Sequence, residues 1–112
     1  MVKIQRKEIK ISEQFDLDII SVYTYGEEVF GSNAAKSFIT DIYSIIQNLD
    51  QAYLLHPECR YLATKDKRYH NIILGSYLII YRITIANVEV LRILHSHSSI
   101  RRLKSSRQIK KI

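Results

Sequence analysis

The chain has 112 residues and a formal net charge of +6; 46% of its residues are hydrophobic, 25% are charged, and it contains three glycines and one proline. This composition is typical of one folded domain and excludes collagen-like, low-complexity and largely disordered proteins. No apolar run approaches the ~20 residues of a membrane-spanning helix, and no apolar segment follows the basic N-terminus as in a secretory signal. The single cysteine, Cys59, fits a reducing compartment. We therefore expect a cytoplasmic protein without a membrane segment.

The charges are unevenly distributed along the chain. Residues 11–59 contain one cation and eight acids, whereas residues 60–112 contain 12 cations and two acids. A basic half of this strength favours acidic partners, either nucleic acid or an acidic protein segment, because it attracts them over long distances.

A strand and a helix are predicted at the start of the chain. Ile9 and Ile11 alternate with Lys10, as in a half-buried strand. Ser12 is a suitable N-cap for a helix whose first turns are acidic, and Gly31 is a suitable C-terminal stop because glycine adopts the left-handed conformation readily.

A second helix follows, with Ser32 or Asn33 as its predicted N-cap. Its apolar residues recur at helical spacing and form the clearest pattern in the chain: Ala35, Phe38, Ile39, Ile42, Ile45, Ile46 and Leu49. The periodicity lapses from residue 50 to residue 67, and the dipeptide His56-Pro57 indicates a loop there.

Three strands rich in β-branched and aromatic residues are predicted next, at Tyr69–Leu74, Tyr77–Ile83 and Val88–His95. Gly75-Ser76 and the neighbourhood of Ala86-Asn87 provide the turns. The sequence therefore predicts an α+β domain of order β-α-α-β-β-β, with a helical hairpin packed on one face of a small antiparallel sheet. The expected core contacts join Phe38, Ile42, Ile45 and Leu49 to Ile73, Ile79 and Tyr81 or to their neighbours of opposite parity.

The familiar enzyme motifs are missing from the sequence. It contains no Gly-rich phosphate loop, no Cys-x-x-Cys pair and no nucleophile elbow. His56 and Cys59 together with His95 and His97 lack the spacing of a zinc site, and only one sulfur is present. We therefore expect neither a metal nor a cofactor.

Metal-free RNA cleavage is the enzymatic alternative. It needs a base for the 2′-OH, an acid for the leaving oxygen and cations for the phosphorane charge. Residue types suited to these roles occur on or just after the predicted strands: His70, Arg82, His95, His97 and Arg101. Strict alternation would place Leu91, Ile93 and His95 on one face of the last strand and Arg92 on the other, so the pattern permits such a site without requiring it.

The end of the chain, residues 101–112, carries six cations and no acid. Its few apolar residues are insufficient for independent folding, so we predict one domain over residues 1–100 followed by a basic tail. The tail would add salt-dependent affinity for an acidic partner.

The run from Arg68 to Ile83, continued by Val88–His95, resembles the C-terminal half of the ParE/RelE toxin superfamily of bacterial type II toxin-antitoxin systems. In these toxins a strand is followed by a helical hairpin, a proline-containing loop and a meander. The centre of that meander reads Tyr, three hydrophobic residues, Tyr and Arg, which matches Tyr77–Arg82. The resemblance covers most of residues 7–104.

The superfamily has two branches with different activities. RelE-type members are ribosome-dependent mRNA endoribonucleases, whereas ParE-type members are associated with inhibition of DNA gyrase. Leu78 stands here where the nucleases place a phosphate-binding cation, and Ile72 occupies one of their basic positions on the preceding strand. A usual arginine position falls near Ser98, with Arg101 as the nearest substitute.

The resemblance thus favours a ParE-like toxin that inhibits gyrase by binding and is neutralised by a cognate antitoxin. The alternative is a RelE-like nuclease acting on ribosome and mRNA, since the histidines resemble those of histidine-based nuclease members. For the binding activity, the predicted contact residues are basic: Arg68, Arg82, Arg92, Arg101, Arg102 and Lys104.

Overall fold

The computed structural model describes residues 5–59, 62, 64–65 and 67–95. It contains the predicted elements in the predicted order: β1 (Glu8–Ile11), α1 (Glu13–Phe30), α2 (Ser32–Ala52), β2 (Tyr69–Leu74), β3 (Tyr77–Ile83) and β4 (Asn87–His95). The α+β class is confirmed. Within this part of the chain, neither helix is long and apolar enough to cross a membrane. The described residues exclude the domain boundary at residue 100 and four predicted site residues: His97, Arg101, Arg102 and Lys104.

The sheet is mixed, which corrects the prediction of an antiparallel sheet. Its strand order is β1-β4-β3-β2, and β2, β3 and β4 form the expected antiparallel meander. However, β1 pairs with β4 in parallel, with Ile9 opposite Val88 and Ile11 opposite Val90. An alternating pattern shows which side chains are buried but not which neighbour a strand will pair with, so the direction of this pairing was not encoded in it.

The helix boundaries depend on two residues. Ser12 has an extended backbone, and its hydroxyl oxygen accepts a hydrogen bond from the Phe15 N–H at 3.0 Å, which confirms the predicted N-cap of α1. Gly31, with φ of +94°, both ends α1 and serves as the N-cap of α2, so the predicted caps Ser32 and Asn33 are wrong. The Ser32 hydroxyl instead donates to the Glu27 carboxylate at 3.0 Å.

The main core lies between the helical hairpin and one face of the sheet. Ile42, Ile46 and Leu49 of α2 are fully buried there, as predicted for Ile42 and Leu49, while Phe38 and Ile45 are partly buried against the same cluster. The facing sheet residues are Ile72, Ile79, Tyr81, Val88, Val90 and Ile93. Of the alternatives left open for β2, the neighbour Ile72 and not Ile73 enters this core, because Ile72 is the residue opposite Ile79 and shares its face; Ile73 is 72% exposed.

A β-bulge interrupts the alternation in β4. The register passes from Ile80 opposite Arg92 to Tyr81 opposite Val90, so Leu91 is an extra residue. As a result, Ile93 packs in the helix-side core, whereas Leu91 packs against a second cluster on the other face. The predicted grouping of Leu91 with Ile93 is therefore wrong. The inner strand β3 contributes side chains to both clusters, so it is covered on both faces.

Candidate functional site

Arg82, a candidate for both catalysis and partner binding, forms an ion pair within the sheet. It lies opposite Glu89 in the β3–β4 register, and its Nε donates to the Glu89 carboxylate at 2.6 Å. A second guanidinium nitrogen also contacts this carboxylate. Burial lowers the pKa of Arg82, but the hydrogen bonds and charge interactions with Glu89 and Tyr69 together outweigh it, so the pKa is raised. The guanidinium is therefore charged and held by its neighbour on β4.

Arg92, a predicted partner contact, forms a buried ion pair with α1. Its Nε donates to one carboxylate oxygen of Asp18 at 2.7 Å, and a terminal nitrogen donates to the other at 3.0 Å. The side chains are only 9% and 10% exposed, respectively. A bidentate ion pair of this kind fixes the relative orientation of the two side chains as well as pairing their charges. Arg92 thus attaches α1 to β4, and little of it is accessible to a partner.

His70 lies on the helix side of the sheet at the end of the molecule formed by the 53–68 connection. It is opposite Tyr81 in the β2–β3 register, and the two rings stack with centroids 5.5 Å apart. Its Nδ1 is 2.8 Å from the His56 carbonyl oxygen, and its Nε2 is 3.0 Å from the Lys67 carbonyl oxygen. Both ring nitrogens are therefore occupied by backbone groups.

His95 lies at the opposite end of the sheet. It is opposite Tyr77 in the β3–β4 register, and the two rings meet edge to face at 5.5 Å. Tyr77 and Tyr81 are four residues apart on β3, about 13 Å at about 3.3 Å per residue, and β2 and β4 flank β3 on opposite sides. His70 and His95 therefore cannot contact the same phosphate.

Among the described residues, the other candidates do not join either histidine to form a catalytic site. Arg82 follows Tyr81 on β3 and so lies on the face of the sheet away from the helices, whereas His70 lies on the helix side. Arg68 is half-buried immediately before β2, where its carbonyl oxygen accepts a hydrogen bond from the Ile83 N–H at 2.8 Å. Across the described ranges, no three His, Cys, Asp or Glu residues are grouped to hold a metal ion.

A cavity of about 390 Å³ lies between the tip of the helical hairpin and the end of the sheet. Two aromatic side chains at its rim are strongly exposed, Tyr25 at 53% and Phe30 at 70%. Inside, the Phe38 and Tyr77 rings are 5.6 Å apart, and the pKa of Tyr77 is raised by burial and by nearby Tyr25. The remaining lining is mostly small or apolar: Val22, Gly26, Ala34, Ala35, Gly75, Ser76 and His95.

Sequence reasoning missed this cavity. The available signal was the apolar end of α1, where Tyr25, Val29 and Phe30 extend the hydrophobic pattern up to the stop at Gly31. A pattern cannot show that the hairpin tip and the end of the sheet line a common cavity, because that depends on where α1 crosses β4. The Asp18–Arg92 pair fixes this crossing.

The sequence model of the family described as "ParE toxin of type II toxin-antitoxin system, parDE" matches residues 9–100. The chain belongs to the ParE toxin family. It is thus a type II toxin of the ParE/RelE superfamily, as the resemblance in the sequence predicted. No curated protein sequence matches the chain significantly.

Two solved structures share the fold of this ParE-family toxin. The chromosomal ParDE toxin-antitoxin system from P. aeruginosa superimposes with a TM-score of 0.68 at 16% identity, covering 81% of this chain and 97% of that chain. The RelBE2 toxin-antitoxin complex from Mycobacterium tuberculosis gives a TM-score of 0.54 at 15% identity, covering 83% and 94%. At these identities the similarity concerns the fold.

Proposed function

We propose that this ParE-family toxin inhibits DNA gyrase by binding to it and does not cleave mRNA. The observation that carries the proposal is the separation of His70 from His95 by four residues along β3 and by two strand spacings across the sheet. RNA cleavage needs an acid, a base and a cation at one phosphate. Arg82 and Arg92 are held in internal ion pairs, which favours a role in supporting the sheet.

The test compares the two activities on one preparation. We expect the purified toxin to block gyrase supercoiling and to leave the mRNA on translating ribosomes intact. Growth arrest should also survive the triple change His70→Ala, His95→Ala and His97→Ala, provided that circular dichroism shows a folded variant. Codon-linked mRNA cuts that disappear in the triple variant would establish the nuclease alternative and refute gyrase inhibition.

A cognate antitoxin is the second proposed partner. The family belongs to type II toxin-antitoxin systems, and the solved relatives are toxin-antitoxin systems or complexes. Exposed apolar surface next to a cavity is typical of a protein-binding site, and an amphipathic helix could insert large side chains between Phe30 and Tyr77. We propose this cavity as the anchor point of a small acidic antitoxin.

The proposed basic contacts supplement that anchor. Arg68 and three residues beyond the described part of the chain, Arg101, Arg102 and Lys104, would attract the acidic antitoxin. Arg82 and Arg92, the other two predicted contacts, would add little to this attraction because Glu89 and Asp18 balance their charges. Such charges mainly raise the rate of association, whereas anchors buried in a cavity mainly slow dissociation.

Co-expression with the neighbouring gene tests the antitoxin proposal. A stable heteromer is expected, and Phe30→Ala should weaken it at least about tenfold, since loss of a buried aromatic anchor commonly costs 2 kcal/mol or more. Ile85→Ala is the matched control, because Ile85 is 91% exposed in the β3–β4 turn, at the other end of the sheet. Recovery of free toxin alone, or equal weakening by both changes, would contradict the proposal.

A further inference from the structure

His70 joins three separate parts of the fold. Its ring stacks on Tyr81 of β3, one nitrogen meets the His56 carbonyl oxygen at 2.8 Å, and the other meets the Lys67 carbonyl oxygen at 3.0 Å. Both of these carbonyls belong to the 53–68 connection, and His70 itself belongs to β2. The side chain therefore links the connection to the sheet.

The chemistry of this contact depends on the charge of the ring. A neutral imidazole has one N–H donor and one acceptor nitrogen, whereas a protonated imidazolium has two donors. Carbonyl oxygens can only accept. Two carbonyls facing the two nitrogens are therefore both satisfied by the protonated ring, and a neutral ring leaves one nitrogen lone pair directed at a carbonyl oxygen.

The backbone at Lys67 shows that this arrangement is constrained. Among the described residues, Lys67 is the one non-glycine residue with a positive φ, 52°. A side chain in this left-handed region is uncommon and costs free energy. Its N–H donates to the Thr64 carbonyl at 3.1 Å, which closes a turn and leaves its own carbonyl oxygen available to the His70 ring.

The connection also covers part of the β2 edge. The Asn71 N–H donates to the Pro57 carbonyl at 3.0 Å, and the Cys59 N–H donates to the Tyr69 carbonyl at 2.9 Å. Glu58 forms an isolated antiparallel bridge with His70. Residues 57–59 thus occupy the outer hydrogen-bonding positions at Tyr69 and Asn71, in the first half of β2, that an added strand would otherwise use.

We propose that His70 is a protonation-dependent latch, whose charged ring holds residues 57–59 over the edge of β2. Loss of the proton removes one of the two ring hydrogen bonds, and the segment then opens more often. The β2 edge is consequently most protected under mildly acidic conditions and more accessible under mildly alkaline ones. This proposal concerns the toxin alone and does not depend on its target.

Several titratable groups surround the latch. The His56 ring also meets Tyr81, edge to face with centroids 6.2 Å apart, and the pKa of His56 is lowered by burial and by the charge of His70. The Tyr81 hydroxyl donates to the Tyr53 carbonyl, and burial raises the pKa of Tyr81. The Glu58 carboxylate accepts from the Thr64 N–H at 3.4 Å, and Lys67 brings a cationic side chain to the same turn.

Amide hydrogen exchange read by NMR tests the latch in the full chain. The Asn71 and Cys59 amides should lose about tenfold or more of their protection between about pH 5.5 and about pH 8, after correction for intrinsic exchange, while core amides such as that of Ile79 do not. The ¹⁵N shifts of the His70 ring should change over the same pH interval as the protection.

Two variants distinguish the effect of the His70 ring from that of the neighbouring His56 ring. His70→Gln should make the protection of these amides independent of pH. His56→Gln should preserve the pH dependence, since the latch uses the backbone carbonyl of His56 and not its ring. The proposal is overturned if the protection of these amides in the wild type does not vary with pH, or if it follows the protonation of the His56 ring and not that of the His70 ring. Both outcomes can be observed in the wild type alone, so the test stands even if His70→Gln does not fold.

Discussion

Asp18 binds two groups of β4 at once, the Arg92 guanidinium and the Ile93 N–H, which donates to it at 3.1 Å. The neighbouring Leu91 carbonyl accepts a hydrogen bond from the Ser12 hydroxyl at 2.7 Å. Together these contacts attach the start of α1 to the bulge in β4. The bulge in turn allows Val90 and Ile93, three positions apart, to enter the same core.

Removing the acidic partner should be costly for stability. Asp18→Asn removes the carboxylate charge that pairs with the buried Arg92, and breaking such a pair typically costs about 3–5 kcal/mol. Glu28→Gln is the control, because Glu28 lies exposed on the same helix. Urea unfolding measures the two free energies of unfolding. A loss under about 0.5 kcal/mol for Asp18→Asn, as expected for an exposed pair, would show that the ion pair does not secure α1.

His56 should make the protein less stable in acid. Its folded pKa lies below the ordinary value of 6.5, first because of burial and then because of the His70 charge. The unfolded chain therefore takes up the proton first, and stability is lost as the pH falls below about 6.5. Unfolding free energies at pH 7.5 and pH 5 should show that His56→Gln loses less stability in acid than the wild type. Equal losses in both proteins would contradict this linkage.

At the scale of the elements, the apolar spacing in α2 predicted both the helix and its buried face, because residues repeating every three or four positions fall on one side of a helix. The sequence also predicted the strands of the meander and the cap at Ser12. It did not predict the parallel pairing of β1, the bulge at Leu91 or the exposure of Ile73, because each is decided by contacts between residues far apart in the chain. The cavity at the hairpin tip depends on the same contacts.

The buried stripe of α2 gives a direct stability test. Ile42 is 0% exposed between α1 and the sheet, so Ile42→Ala should cost about 2–5 kcal/mol through lost burial and the cavity left behind. Ile73→Ala removes the same atoms from an exposed strand position and should cost far less. Chemical denaturation compares the two variants. Similar losses at both sites would mean that the face assigned to Ile73 is wrong.

At the scale of the whole molecule, the formal net charge resides in the last 12 residues. Six of the 17 lysines and arginines lie in residues 101–112, which contain no acid, so residues 1–100 carry 11 cations and 11 acids. The helical hairpin is acidic: α1 contains five acids and no lysine or arginine. An approaching acidic antitoxin would therefore be attracted by the C-terminal segment and repelled by the outer surface of the hairpin.

Deleting residues 101–112 should therefore slow association with the antitoxin from the neighbouring gene by about tenfold or more at low salt, and change dissociation little. Screening by salt should remove most of the difference in association rate, because the Debye length falls to about 3 Å near 1 M salt.

The control variant keeps the chain length and replaces the six cations of residues 101–112 with glutamine. It should behave like the deletion if charge is the cause. Stopped-flow mixing measures the rates. Faster dissociation in the deletion but not in the glutamine variant would show that the segment contributes contacts of its own and not only charge.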